Sequence, residues 1–359
     1  MDQRNVQLNS ISAPHDRSLS RWIKPALGYV VAIVCLVWVF YDVRLDRILQ
    51  NVTAIKWWWI ALAVLCDILG FILQGLRWQL LLRPIGDVSL IQTTQAIYAG
   101  LFISEVLPMR FGELARAYLV SRWISAKFSS IIPSILVERL FDGVWMALAI
   151  GLTAIFVPLP RDLVEAGDIL GIIVLGLTGG FIYVVFRKRR ALSEGVAVKH
   201  LGWRPLRSVM SFIGRMDAGL RNIGMSPLFY ASFGISIFIL VFQALAFWLV
   251  MLAYGLSAPF WVGAVVFLIV HLGTAIPNAP ANIGTYQFFC VVGLTIFGIE
   301  KTVATGFSVV VFVLLTIPLW VIGFFALSRS GTTLYAIRSK VNALLQRAKA
   351  EKEDEKIDY

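Results

Sequence analysis

An all-α polytopic membrane protein is the fold class this sequence predicts, and three observations predict it. Hydrophobic residues make up 58% of the 359 residues and the mean hydropathy is +0.79, which leaves too little polar surface to face water. Apolar runs of spanning length, roughly 17 to 25 residues, begin near Pro25, Trp57, Ile131, Asp168, Pro227, Phe260 and Thr302. Two stretches, Leu107 to Glu113 and Ile276 to Thr285, interrupt apolar helices with prolines, glycines and polar groups. Lipid cannot hydrogen-bond a broken backbone, so such stretches persist only where protein buries them or where they line a wet cavity.

A basic tail, residues 1–24 with Arg4, Arg17, Arg21 and Lys24, precedes the first span at about 25–41. That span lacks a small-residue cleavage site and is read as retained. The next span begins at Trp57, where Trp57, Trp58 and Trp59 form an interfacial belt. Residues 91–122 are expected to form a re-entrant hairpin entered from the cytoplasm, because Glu113, Arg116, Arg122 and Lys127 do not cross lipid cheaply. The span from 131 to 157 then leads out to an acidic loop (Asp162, Glu165, Asp168), and 169–186 returns to close a first membrane half, 25–186.

The loop 187–226 is rich in lysine and arginine against only Glu194 and Asp217, which places it in the cytoplasm by the positive-inside rule. A second half, 227–328, opens with a span over 227–254. Its arms 260–276 and 282–298 either cross fully twice or enter from outside as a second hairpin near 260–298; the latter makes the halves inverted copies. The span 302–327 leads to a charged tail, 329–359. The expected total is about six full spans plus two broken or re-entrant hairpins, with both termini cytoplasmic. The net charge of +11 is read as orientation and contact with anionic lipid, not as binding of nucleic acid.

Cys35, Cys66 and Cys290 lie in apolar runs and have no disulfide or zinc spacing. The sequence contains no G-x-x-x-x-G-K-[ST], no dinucleotide glycine fingerprint and no H-E-x-x-H. No recognisable route to ATP hydrolysis exists, and no cofactor or metal is expected.

Arg110, Glu113 and Arg116 recur every third residue and share a helix face. Two guanidinium forks around a carboxylate suit a phosphate or a zwitterionic head group; a structural ion triad is the alternative. In the second interruption Asn278 and Asn282 flank a helix restart, followed by Thr285 and Gln287. A helix N-terminus with unpaired N–H groups is a ready anion site, and an asparagine-capped turn without ligand is the plainer reading. Asp67, Gly70, Gln74 and Arg77 form one stripe at helical spacing. Asp67 and Arg77, with Glu138, Arg139, Asp142 and His271, are candidates for coupling or gating, and the cluster at 138–142 is expected to brace the hairpin by pairing with Arg116 or Arg122.

These residues resemble the lysylphosphatidylglycerol synthase transmembrane family, also called the flippase-like or UPF0104 family, over about residues 20–330. Pro108, Arg110, Gly112, Glu113 and Arg116 match its P-x-R-x-G-E-x-x-R pattern, followed by Val137 to Asp142 and by Pro277 to Gln287 in place of a proline- and glycine-rich second motif. In that second motif family members commonly carry a glutamate, where this chain has Gln287. The resemblance implies a translocator of lipids or lipid-linked sugars in a bacterial cytoplasmic (inner) membrane, here a stand-alone member without a soluble transferase domain.

The function expected is thus movement of a phospholipid or lipid-linked head group between leaflets. The groove is expected to be lined by Arg110, Glu113, Arg116, Asn278, Asn282, Thr285 and Gln287, with no catalytic residue. Anionic lipids at the basic loops, a homo-oligomer or a partner biosynthetic enzyme are the partners anticipated. A membrane-embedded lipid or sugar transferase using Glu113 or Glu138 as base and a small-solute transporter are the alternatives.

Overall fold

The structure, a computed structural model, describes residues 19–106, 111–156, 176, 227–275, 279–337, 339–341 and 343. The predicted span 169–186, the basic loop 187–226 and the ends of both tails are almost wholly outside the described residues. Those described form α1 (Leu19–Phe40), α2 (Leu45–Thr53), α3 (Trp57–Leu82), α4 (Leu90–Val106), α5 (Gly112–Trp123), α6 (Phe128–Phe156), α7 (Pro227–Ala253), α8 (Phe260–Ala275), a 3-10 turn (Pro280–Asn282), α9 (Thr285–Ile296) and α10 (Lys301–Ser328). The chain is an all-α membrane protein: no strand occurs among the described residues, and α3, α7 and α10 are each long and apolar enough to cross a bilayer. The helix α6 is as long, but it carries Glu138, Arg139 and Asp142.

Helices α3 and α7 make the most extensive contact and run antiparallel. Lys56 N–H donates to the Ala253 carbonyl (3.1 Å) at one end, and Arg77 donates to Ser236 Oγ (3.0 Å) towards the other. Gly70 faces α7 at the crossing, where a Cβ would lie at ordinary contact distance, 3.5 Å from Gln243 Cγ and 3.8 Å from Phe242 Cβ. Around this pair the buried apolar side chains divide into a cluster centred on Phe247, Met251, Leu294 and Phe307 and another on Trp78, Ile97 and Ile131. Large apolar residues such as Val30, Ile33, Val34 and Val37 of α1 and Phe324 and Phe325 of α10 stay exposed. On a soluble protein so large an apolar surface would aggregate; in a bilayer it is the lipid-facing coat.

Helices α3 and α7 are each followed by a helical hairpin with one arm too short to span. The arms of the first are α4 (17 residues) and α5 (12), and those of the second are α8 (16) and α9 (12). A 12-residue arm reaches about 18 Å against a hydrocarbon core of about 30 Å. The first hairpin opens beside the C-terminal end of α10, where Gln95 donates to the Ala326 carbonyl (2.9 Å) and Arg122 donates to the Gly331 carbonyl (3.3 Å) and to Thr332 Oγ1. The second hairpin leads directly into the N-terminal end of α10, which also receives the end of α1: Thr305 Oγ1 donates to the Val39 carbonyl (3.2 Å). The two hairpins therefore open at opposite ends of α10. They meet where α4 packs against Pro280–Asn282.

Glycine sets the closeness of the first hairpin. A Cβ on Gly112 would collide with the Gly100 carbonyl oxygen, and one on Gly100 would come within 2.7 Å of the Gly112 oxygen, so α4 and α5 touch backbone to backbone. At the second, Ala281 (φ 58°), Asn282 (φ 53°) and, beyond Ile283, Gly284 (φ 91°) take positive-φ conformations, and the Gly284 Cα faces the Ala32 carbonyl of α1. Helix α2 is an addition to the sequence reading. Its Leu45, Ile48, Leu49 and Val52 repeat at helical spacing, but nine residues are too few to register as a span.

Candidate polar site between the first hairpin and the long helices

Three arginines and three carboxylates alternate through α3, α5 and α6. Arg77 of α3, 3% exposed, holds Glu138 (3.2 Å) and Asp142 of α6. Glu138, 1% exposed, also lies 2.7 Å from Arg116 Nη2 of α5. The oxygen involved lies off the N–H direction, so this second contact is Coulombic and not a hydrogen bond. Beyond the buried part, Arg139 joins Glu113 of α5 (2.6 Å) to Asp142 (3.4 Å). The series runs Glu113, Arg139, Asp142, Arg77, Glu138, Arg116, opposite charge beside opposite charge throughout.

Neighbouring side chains fix the buried half. Arg116 lies over the Trp78 indole at 4.7 Å, a cation–π contact, and that indole donates to Ser134 Oγ (2.9 Å). Ser232 and Ser236, one turn apart on α7, add hydroxyl contacts to the Arg77 carbonyl (3.4 Å) and guanidinium. The Nε donors of Arg77 and Arg116 have no hydrogen-bond partner among the described residues. The outer half is more open, with the side chains of Arg139, Glu113 and Asp142 exposed by 51%, 33% and 29%. His271 of α8 lies within the electrostatic field of Asp142 and packs beside Phe267 with ring centroids 5.3 Å apart and the planes tilted by 37°. That brings the second half of the chain to the rim.

Of the residues singled out by sequence, the structure unites Arg77, Glu113, Arg116, Glu138, Arg139 and Asp142 in one network. Arg116 does pair with Glu138 and so ties α5 to α6, while Arg122 turns to residues 331 and 332. Arg110 and Asn278 lie outside the described residues. Asn282 accepts at its carbonyl from Thr285 Oγ1 (3.0 Å), and Gln287 Oε1 accepts the Gly284 N–H (2.7 Å). Thr285 and Gln287 are both buried, and those two contacts close the first turn of α9 on itself. Asp67 stands apart from the network, ten residues before Arg77 on α3. Trp78, Ser232 and Ser236 were not singled out by sequence; the serine pair at i, i+4 in an otherwise apolar helix is the signal that marks them.

Known proteins similar to this chain are membrane proteins. A UPF0104 membrane protein of Methanothermobacter thermautotrophicus is 25% identical over 307 residues, covering 82% of this chain and 88% of the relative. A UPF0104 membrane protein of Methanocaldococcus jannaschii is 20% identical over 297 residues, covering 79% and 88%. The family model described as the lysylphosphatidylglycerol synthase TM region matches residues 26–323, which takes in every helix of the polar site. The chain belongs to that family of membrane proteins.

Proposed function

We propose that the protein passes the polar head group of a phospholipid or lipid-linked molecule between leaflets while the acyl chains stay in the bilayer. The observation that carries this reading is the half-exposed Arg139, held by carboxylates from two different helices at the open end of a charge network. Charged groups at membrane depth are costly and mark substrate pathways. A phosphate entering the groove takes the planar fork of Arg139 bidentately, and the released Glu113 or Asp142 receives any cationic part of the same head group. Arg110, three residues before Glu113 in sequence, is carried into this reading as a second candidate anion ligand on sequence grounds alone.

In this reading the short hairpins are re-entrant, one from each face of the membrane. The halves α3–α6 and α7–α10 are inverted copies, an arrangement known from transporters with sites near the midplane. Three features support it: the antiparallel α3 and α7, the hairpin arms of 17 and 12 residues against 16 and 12, and the opposed openings of the hairpins. A cytoplasmic (inner) membrane with both termini inside follows from the basic tails and loop. Movement is downhill unless an ion gradient is coupled to it. The basic loops would hold anionic lipid beside the entrance.

The test is leaflet exchange of fluorescent phospholipids in liposomes containing the purified protein, followed by quenching with dithionite. Exchange above protein-free liposomes, lost in Arg139→Ala and in Arg110→Ala, supports the reading. Exchange that survives both substitutions overturns it. So does the appearance of a covalently altered lipid, which would point to a transferase.

A further inference from the structure

Past the end of α10 the chain turns at Gly331 (φ 69°) and comes back along the first hairpin. Leu334, Ile337 and Val341 share one apolar cluster with Ala99 and Ile103 of α4, Ala115 and Leu119 of α5 and Leu327 of α10. The crook of this turn holds a cleft of about 400 Å³, within the range of ligand-binding clefts, about 300 to 1,000 Å³. It lies apart from the charge network. Arg122, whose side chain reaches the cleft through Gly331 and Thr332, is six residues beyond Arg116 on α5, about 9 Å along the helix.

The lining joins two chemistries. Phe324, Leu327 and Leu334 are apolar, while Ser328, Thr332 and Thr333 bring hydroxyls. Phe324 belongs to the exposed, lipid-facing coat of α10, so the apolar lining continues into the surface that acyl chains cover. Helix α10 is long enough to cross the bilayer and ends at Ser328, so the hydroxyls stand at the level of the head groups. Thr332 Oγ1 accepts from Arg122 Nη1, and Thr333 Oγ1 accepts the Ala336 N–H (3.3 Å). Each threonine is thus engaged as an acceptor, and among the described residues its own O–H is left to donate. A guanidinium beside two donating hydroxyls suits a ligand rich in acceptors, such as phosphate oxygens and ester carbonyls.

Charge sets the sign of that ligand. The chain has no aspartate or glutamate from Lys301 to Ala350 or from Leu114 to Val137, and Arg122, Arg329 and Lys340 are all exposed. We propose that this cleft holds an anionic phospholipid of the surrounding leaflet, its phosphate and glycerol esters against Arg122, Thr332 and Thr333 and an acyl chain leaving along Phe324. Basic pockets beside membrane helices take anionic head groups in this way. The lipid is a resident ligand and not the cargo of the groove, so the proposal does not use the translocator reading. Because Arg122 lies at the end of α5, the bound lipid ties the first hairpin to the end of α10.

The experiment mixes full-length protein in mild detergent with dioleoylphosphatidylglycerol or dioleoylphosphatidylcholine, removes unbound lipid by gel filtration and measures what is retained by mass spectrometry. The expected result is saturable retention of phosphatidylglycerol and weaker retention of phosphatidylcholine, whose choline cation meets the same basic side chains. Ser328→Trp and Thr333→Trp, at exposed positions, fill the cleft without touching Arg122 and should abolish retention while unfolding close to wild type. Arg122→Gln leaves the cleft open and should weaken retention about tenfold, the worth of one hydrogen bond to a charged group. Arg139→Ala, in the groove, should retain the lipid.

Retention unchanged in both tryptophan variants and in Arg122→Gln overturns the proposal, and its loss in Arg139→Ala alone assigns the lipid to the groove. Equal retention of the two lipids overturns the anionic preference and the proposal with it. Displacement of the retained lipid by inorganic phosphate assigns the cleft to a free anion and likewise overturns it. Wild-type protein that holds phosphatidylglycerol in the cleft yet exchanges no lipid in liposomes supports the cleft and overturns the translocator reading.

Discussion

Glu138 and Arg139 are neighbours in sequence with different duties. Glu138 sits between Arg77 and Arg116 with 1% of its surface exposed, so removing its charge strands the buried Arg116 and leaves Arg77 with Asp142 alone. Glu138→Gln is expected to cost about 3 to 5 kcal/mol, the usual penalty for breaking a buried pair from one side, read as a lower thermal unfolding temperature in detergent. Arg139 has 51% of its side chain exposed, and exposed pairs contribute about 0 to 1 kcal/mol. Arg139→Ala should therefore unfold close to wild type while losing lipid exchange. An Arg139→Ala protein as unstable as Glu138→Gln would show that both residues are braces.

At the level of the helix pair, Gly112 and Gly100 decide whether the first hairpin closes. A methyl group on Gly112 meets the backbone oxygen of Gly100, which cannot swing aside as a side-chain tip would. Overpacking of this kind costs about 1 to 3 kcal/mol, so Gly112→Ala is expected to lower the unfolding temperature and to separate Arg116 from Glu138, abolishing exchange with it. Gly151, whose added Cβ would meet nothing within 4 Å, is the control, and Gly151→Ala should behave as wild type. The two breaks in the apolar runs were legible because proline, glycine and charge there have few placements in lipid, while the sequence left open whether the second break joins two full crossings or a hairpin. The pairings of their side chains were less legible. Arg110, Glu113 and Arg116 share a stripe by spacing, yet Glu113 turns to Arg139 and Arg116 to Glu138, a division set by the rotation of α5 against α6 that periodicity does not encode. Gln287 reads as a groove residue by position, whereas its oxygen is taken by Gly284 because a left-handed turn leaves that N–H facing it.

Across the whole molecule, the antiparallel α3 and α7 form the axis on which the two halves meet. A Cβ at position 70 would stand 3.8 Å from that of Phe242, close to the mean separation of about 3.8 Å found in disulfides. The double variant Gly70→Cys, Phe242→Cys should therefore cross-link under mild oxidation in native membranes, seen by mass spectrometry of the joined peptides. Neither single variant should do so, and failure of the double variant would break the proposed relation of the halves. The shared side of the termini is testable as well: α1 ends beside the start of α10, so reporters fused at residues 1 and 359 are expected to lie on the same, cytoplasmic, face. Asp67 stood out in the sequence as a carboxylate on an apolar helix, and the fold sets it apart from the charge network, ten residues before Arg77.

The bare contact between Gly100 and Gly112 has a mechanical corollary. With no side chain at that point to give way, and Ile103 and Leu119 packed beside it, the two arms are locked into one stiff unit. It is fastened to α6 by the electrostatic latches of Glu113 and Arg116, and on the proposed translocator reading a head group that borrows Arg139 would unfasten one of them while the other stays shut.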